Sequence, residues 1–367
     1  MQIEWHRSAV TPPAEDAGVP ELVELIRAEI EAEGPISFAR FMQRALYEPG
    51  LGYYATSPDR PTRAGDFLTA PELHPIFGHA VARQVDRIWR RTGQPESFVL
   101  REYGAGTGAL GRAITEGLWL IRSPLAERLR YEPIEIEGRL AVRADISAPL
   151  VGCVLANEFL DALPVHRVTK QSGRLLELYV DWRDGAFVEH PGELSDARLA
   201  SWFNDAGIEL AEGQRAEVNL AMLDWLAEIE RILERGAVLI FDYGAGATEL
   251  YSHDRMSGTL RAFREQQVSS DVLGGVGRRD ITAHVDLDAL ERGARAAGLD
   301  VLGRTRQAEF LLGAGLEDAY AAARAEADED WDAALTLRSA VRRLLDPRAL
   351  GGYAAVILGR GLEQDQG

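Results

Sequence analysis

The chain has 367 residues, 46% hydrophobic and 27% charged, and its 40 basic against 58 acidic side chains give a formal net charge of −18. This is an ordinary globular composition with room for one large domain or two, and its acidic balance disfavours nonspecific binding to DNA, RNA or an anionic membrane, all of which want a basic surface. The single cysteine, Cys153 within an apolar run, excludes an internal disulfide and a multi-cysteine metal site; no stretch is apolar for long enough to span a bilayer, and the start Met1-Gln-Ile-Glu-Trp-His-Arg7 lacks a basic, apolar signal peptide, so a cytoplasmic protein is expected.

Residues 1–18 read as an extended arm in which Pro12 and Pro13 limit helix. Leu22, Ile26 and Ile30 recur every four residues and predict a helix ending near Gly34. Ser37 is set to cap a second helix that carries Phe38, Phe41, Met42, Ala45 and Leu46, closed by Pro49-Gly50. Gly52-Tyr53-Tyr54 and a polar loop follow. Then Gly65-Asp66-Phe67-Leu68-Thr69-Ala70-Pro71-Glu72 combines a turn glycine with polar side chains. Residue chemistry alone admits a capped loop with solvated acids there. Pro71 and Glu72 predict the first turn of a helix running through Phe77, Val81, Val85, Ile88 and Trp89.

The chain is organised around residues 98–117. An apolar run from Phe98 leads to Glu102, then Gly104, Gly106 and Gly108 stand on alternate positions, and Ala109, Leu110, Ala113 and Ile114 fall at helical spacing. The pattern predicts strand, glycine turn and helix, a device that lets a nucleotide-like cofactor approach the main chain at a helix N-terminus. Gly104-x-Gly106-x-x-Ala109 satisfies the dinucleotide fingerprint. Glu102, two residues earlier, makes the pattern Glu-x-Gly-x-Gly-x-Gly, which resembles motif I of class I S-adenosylmethionine (SAM) methyltransferases. A carboxylate there can face the cationic amino-acid end of SAM, whereas pyrophosphate prefers no carboxylate nearby. At this point SAM, a dinucleotide and a purely structural turn all remain open.

Residues 131–136 read as the second strand, with Glu135 near its end, where an acid can hold ribose hydroxyls or simply lie at a strand edge. Residues 136–151 are too few for two crossovers, so the sheet is expected to lack a helix or a strand. Residues 151–156 form the next strand. Asn157, Glu158 and Asp161, in Asn157-Glu-Phe-Leu-Asp-Ala-Leu-Pro-Val165, follow it at the carboxyl edge of the sheet and are the candidate catalytic group. The alternative is helix capping by Asn157 and a solvent-facing Asp161. Residues 165–188 alternate around Gln171-Ser172-Gly173 and predict a β meander, an inserted substrate lid. Glu217 is read as opening a helix that Gly236 ends. Residues 237–244 predict a buried strand ending in Asp242, and 245–280 a long loop. A helix is expected at 287–297, a strand near 300, a long acidic helix over 316–345 and a last strand at 354–359. The seven histidines show no metal-ligand spacing, so no metal is expected.

Taken in order, these stretches resemble one family, the MidA-like or DUF185 methyltransferases, which include a mitochondrial complex I assembly factor that methylates protein arginine. The resemblance rests on Pro35-Ile-Ser37, Gly52-Tyr-Tyr54, the stretch from Gly65 to Glu72, Glu102 to Gly108, and the stretch from Asn157 to Val165. Asp242-Tyr-Gly244, Gly258-Thr-Leu-Arg261, Asp280-Ile-Thr-Ala-His-Val-Asp286 and Phe310-Leu-Leu312 continue it. Two departures stand out: a short segment over 138–150 where the family carries a helix, and Gln266 and Gln267 where a histidine is usual.

The resemblance implies an α/β, Rossmann-like class I methyltransferase sheet with an N-terminal helical cap over 1–97, a core over 98–164 and 237–367, and an inserted β meander and helical lid over 165–236. It implies SAM as cofactor. Glu102, Gly104, Gly106 and Gly108 would hold it and Glu135 its ribose, with Asp66, Thr69 and Glu72 closing over its methionine end. Glu158, Asp161 and Asn157 would face the methyl acceptor, with Asp242, Arg261 and His284 on the substrate side. The acceptor is expected to be a protein side chain, an arginine nitrogen by resemblance. A small-molecule nitrogen or hydroxyl, a noncatalytic SAM-binding assembly factor and a dinucleotide oxidoreductase are the alternatives. Neither nucleic acid nor membrane is expected as a partner, and a homodimer is admitted.

Overall fold

The computed structural model describes residues 18–56, 70–135, 148–264, 267–327 and 330–362. Its centre is a six-stranded sheet of β1 (Phe98–Tyr103), β2 (Leu129–Ile134), β3 (Leu150–Asn157), β4 (Leu233–Asp242), β5 (Asp300–Arg306) and β6 (Ala354–Arg360). The strand order is β5-β6-β4-β3-β1-β2. β2, β1, β3 and β4 run parallel, and β6 lies antiparallel between β4 and β5. The register pairs Tyr103 with both Ile134 and Ala156, and Asn157 with Phe241, so the parallel strands all end at one edge. Glu135, Asn157, Glu158, Asp161, Asp242 and the glycine turn lie there. Among the described residues β2 is the edge strand, in keeping with the shortened segment that follows it.

Both faces of the sheet are covered, which is why β1 is apolar along most of its length and wholly buried. Phe98 and Leu100 pack with the helices Ile76–Arg91 and Ala109–Leu120 on one face. Val99 and Tyr103 pack with the helix Leu220–Ile232 on the other. The charged residue between them on that second face, Arg101, is 2% exposed and is paired with Glu132 of β2 at 2.8 Å.

The N-terminal helices form as their spacing predicts. Pro20 opens the helix Pro20–Glu33, Leu22, Ile26 and Ile30 are its buried stripe, and Gly34 ends it. Ser37 Oγ accepts the Arg40 N–H and caps the helix Phe38–Tyr47. The meander is present as strands His166–Gln171, Arg174–Arg183 and Ala186–Gly192, with Ser172 and Gly173 both at positive φ in the first turn. A link that no local pattern announces joins the two regions: Ile36–Ser37 pairs with Val180 and Tyr179 of the meander. Leu22, Phe41, Val165, Val180, Leu260 and Ile281 accordingly share one apolar cluster.

Several boundaries differ from expectation. The helix predicted from Pro71 is two, Ala70–Leu73 and Ile76–Arg91, because Pro75 cannot donate and the His74 ring nitrogen accepts the Ile76 N–H instead. Glu217 belongs to a strand, Arg215–Val218, and the helix starts after Asn219. β4 begins at Leu233, before Gly236. The stretch 245–280 holds a helix, Ala247–Leu250, and the strands Arg261–Arg264 and Gln267–Ser269. The acidic stretch 316–345 divides into Leu316–Ala327 and Trp331–Leu345.

Candidate active site

The glycine turn follows β1. Gly104, Gly106 and Gly108 have φ of 67°, 56° and 71°, all left-handed. A side chain in that region costs about 1–2 kcal/mol per residue, so the backbone itself demands the alternation of glycines. Gly108 leads into the helix Ala109–Leu120. One turn on, a Cβ at Gly111 would lie 2.2 Å from the Tyr131 ring of β2, so this helix can sit close to the sheet only with glycine at that point.

Glu102 sits beneath the turn, 3% exposed. It points to the face covered by the helices Ile76–Arg91 and Ala109–Leu120, as Phe98 and Leu100 do four and two residues earlier. Its Oε2 accepts the Tyr131 hydroxyl at 2.5 Å. Burial pushes its carboxyl up to about 7. Glu102 therefore ties β1 to β2 rather than lying open at the sheet edge. Glu135, the first residue past β2 and half-buried, is at the lip, where its carboxylate accepts the Gly106 N–H.

The second motif is held from all sides. Asp242, 1% exposed at the end of β4, accepts the Leu160 N–H at 2.9 Å and the Asp161 N–H at 3.3 Å through one oxygen, and the Tyr243 N–H at 2.9 Å through the other. The Asn219 amide donates to Leu160 O at 2.9 Å, while its oxygen caps the helix Leu220–Ile232. The Ala283 N–H donates to Asp161 O at 2.9 Å and the Tyr47 hydroxyl to Ala162 O at 2.8 Å. The Asp242 carboxylate, expected on the substrate side, meets the main-chain donors of the turn beside it, where each charged hydrogen bond contributes about 1.5–3 kcal/mol.

Glu158 is the strained residue of this turn. Its φ is 48°, and its N–H donates to Phe241 O at 2.7 Å. Its side chain is buried, 3.4 Å from the Asn157 amide nitrogen. A non-glycine residue in this region costs about 1–2 kcal/mol and persists only where its surroundings impose it. Phe159 then joins the two motifs: a Cβ at Gly104 would lie 3.1 Å from its ring, which also packs 5.7 Å from both Tyr103 and Trp225.

Asp161 is 2% exposed, and burial, with the negative charge of Asp161 beside it, pushes the Tyr243 phenol well up from its ordinary value. The His284 ring meets the Tyr243 ring edge to face, centroids 5.2 Å apart, and burial lowers the imidazole's pKa. The structure therefore brings His284 and Asp161 together. Arg261 lies at the periphery, exposed, its guanidinium donating to Leu260 O at 2.6 Å. Glu72 is on the short helix Ala70–Leu73, which packs against the helix Ala109–Leu120. Asp66 and Thr69 lie outside the described residues. Among the described residues no group of three or more His, Cys, Asp or Glu could hold a metal ion.

Sequence reasoning missed Tyr131, Asn219 and Tyr243. Tyr243 stands inside a stretch already singled out, Asp242-Tyr-Gly244, but carried no spacing signal of its own. As a whole the edge fits a nucleoside-bearing, cationic group better than a pyrophosphate. The Glu135 carboxylate already takes the Gly106 N–H that a phosphate would need, and Glu158 and Asp161 add further acid beside it.

Comparisons with known proteins agree with that chemistry. A family model described as "Putative S-adenosyl-L-methionine-dependent methyltransferase" matches residues 80–305. The Drosophila melanogaster protein arginine methyltransferase NDUFAF7 homolog, mitochondrial, is 29% identical over 92% of this chain and 84% of its own length. The Rattus norvegicus protein arginine methyltransferase NDUFAF7, mitochondrial, is 28% identical over 85% of this chain and 79% of its own. A crystal structure of a COG1565 superfamily member from Burkholderia thailandensis bound to S-adenosyl-homocysteine is 31% identical, with a TM-score of 0.81 over 94% of this chain and 93% of that one. The relatives' names correct the cytoplasmic expectation, since both are given as mitochondrial proteins.

Proposed function

From the premise that the chain belongs to the S-adenosyl-L-methionine-dependent methyltransferase family and has the class I methyltransferase fold, we propose that its acceptor is an arginine nitrogen on a protein. The relatives named as protein arginine methyltransferases support this reading. The observation that carries it is the pair of carboxylates on one clamped turn: Glu158, at a φ of 48°, and Asp161, three residues on. A guanidinium is planar and cationic and takes carboxylates in bidentate fashion.

When bound, SAM supplies a methyl group on a positively charged sulfur. The chain's residues supply placement. The glycine turn admits the cofactor to the main chain, and Glu135 is the acid for its ribose. Glu158 and Asp161 orient the guanidinium and draw its charge away from the attacking nitrogen. Alignment of this kind contributes up to roughly 7–11 kcal/mol. The Phe159, Tyr103 and Trp225 rings wall the turn and keep water from it.

The test is methyl transfer from methyl-labelled SAM to the protein and small-molecule fractions of a cell lysate, with wild type and Glu158→Gln. The expected result is label on protein arginine and a loss of about 10²–10³ in rate in the variant, with S-adenosyl-homocysteine affinity unchanged. Equal rates would take Glu158 out of the site. Label confined to small molecules would overturn the protein acceptor.

A further inference from the structure

We propose that the side-chain oxygen of Asn157 holds the α-ammonium group of the bound cofactor, so that Asn157 positions SAM rather than the methyl acceptor. The inference rests on the chain's use of SAM and is independent of which acceptor takes the methyl group. Its ground is one atom. Asn157 Oδ1 is buried, and among the described residues it has no hydrogen-bond partner. The other end of the amide settles which way that oxygen turns. Nδ2 lies 3.4 Å from Glu158 Oε1, and an ionised carboxylate can only accept, so it takes the nitrogen end. Oδ1 is thus directed away from Glu158. A buried acceptor without a donor is costly, and one at the edge of a ligand site is satisfied when the ligand brings an N–H.

The strand places that atom. Along β3, Cys153 and Leu155 face the helices Ile76–Arg91 and Ala109–Leu120, and two-residue alternation sets Asn157 on the same face. Phe241, its partner in register on β4, packs there against Phe77, ring centroids 5.4 Å apart. Tyr103 pairs with Ala156, so Asn157 comes level with Gly104, the first glycine of the turn. The helix Ala70–Leu73, whose Glu72 the resemblance sets at the methionine end of SAM, covers this face as well. Three points select the ammonium among the cofactor's donors. Glu102, the acid that the sequence sets against the cationic end of SAM, is on this face but already accepts the Tyr131 hydroxyl. Glu135, the acid for the ribose, stands past β2, across β1 from Asn157. The adenine amine is neutral, whereas the Glu158 carboxylate beside the Asn157 amide favours a cation.

The experiment is calorimetric titration of wild type, Asn157→Leu and Asn157→Ala with three ligands. They are S-adenosyl-homocysteine, its desamino analogue, which lacks only the α-amine, and methylthioadenosine, which keeps adenine and ribose and lacks the amino acid. Both substitutions remove the acceptor, one filling its space and the other emptying it, and circular dichroism checks the fold. S-adenosyl-homocysteine should bind each variant about 10-fold or more weakly than wild type. The desamino analogue should bind all three proteins alike, since amine and acceptor form one pair and removing either removes the whole contact. Methylthioadenosine should also bind all three alike. Unchanged S-adenosyl-homocysteine affinity in both variants overturns the proposal. So does a loss shared by methylthioadenosine, which would make Asn157 a brace of the turn, and so does a loss of equal size for the desamino analogue. Wild type without affinity for S-adenosyl-homocysteine overturns the SAM reading and this proposal together, whereas each of the other contrary results leaves that reading standing.

Discussion

Glu102 and Asp242 show how a single side chain's neighbours decide its task. Both are carboxylates at the carboxyl end of a parallel strand, and in sequence they are indistinguishable from acids that face a ligand. Strand alternation sends Glu102 beneath the helix, to Tyr131, and the turn after β3 gives Asp242 main-chain donors. The three glycines were legible because their left-handed φ is a backbone demand that spacing alone reveals. Glu102 also carries a pH signature. Its folded pKa, about 7, is raised above the unfolded value near 4.5, so the native state holds the extra proton between the two. Its contribution to stability is full below the unfolded value and is lost as pH rises through about 7, on the order of 3 kcal/mol. Glu102→Gln, which mimics the protonated form, should gain on wild type by about that amount between pH 4.5 and pH 8 in denaturant melts. A stability difference that stays constant across this range would show that Glu102 is ionised in the native state.

At the scale of elements, the helix Ala109–Leu120 is set against β2 by one missing methyl group. The spacing of its apolar residues announced the helix, but nothing in that spacing marks Gly111, whose need for glycine comes from the Tyr131 ring against it. Gly111→Ala should destabilise by about 1–3 kcal/mol through overpacking and weaken S-adenosyl-homocysteine binding by shifting the turn. In a Tyr131→Leu background the same change should cost markedly less, a coupling that a double-mutant cycle in urea reads directly. An identical cost in both backgrounds would separate the glycine from the ring. The element boundaries that sequence misjudged have physical causes of the same local kind. Pro75 and the His74 ring divide one expected helix, and Asn219 rather than Glu217 supplies the cap of another, because its side chain serves Met222 and Leu160 at once.

At the scale of the molecule, the sheet and its order follow from a few buried runs, whereas the joining of the N-terminal helices to the meander does not. That joining depends on Ile36 meeting Val180 and on apolar side chains from four separate regions, and no periodicity encodes such distant pairings. Its effect on the site is direct, since Tyr47, at the end of the second helix, and Tyr54, in the turn after it, reach Ala162 and Asp280. The central claim is that the glycine turn, at a φ of 56° at Gly106, receives SAM rather than a dinucleotide. Calorimetric titration of the purified protein with S-adenosyl-homocysteine and with NAD, repeated on Gly106→Val, tests it most directly. Wild type should bind S-adenosyl-homocysteine and not NAD, and Gly106→Val should lose that binding while its circular dichroism is unchanged, because a β-branched residue opposes positive φ and fills the cofactor's space. Binding of NAD without S-adenosyl-homocysteine, or full affinity in a folded Gly106→Val, would contradict it.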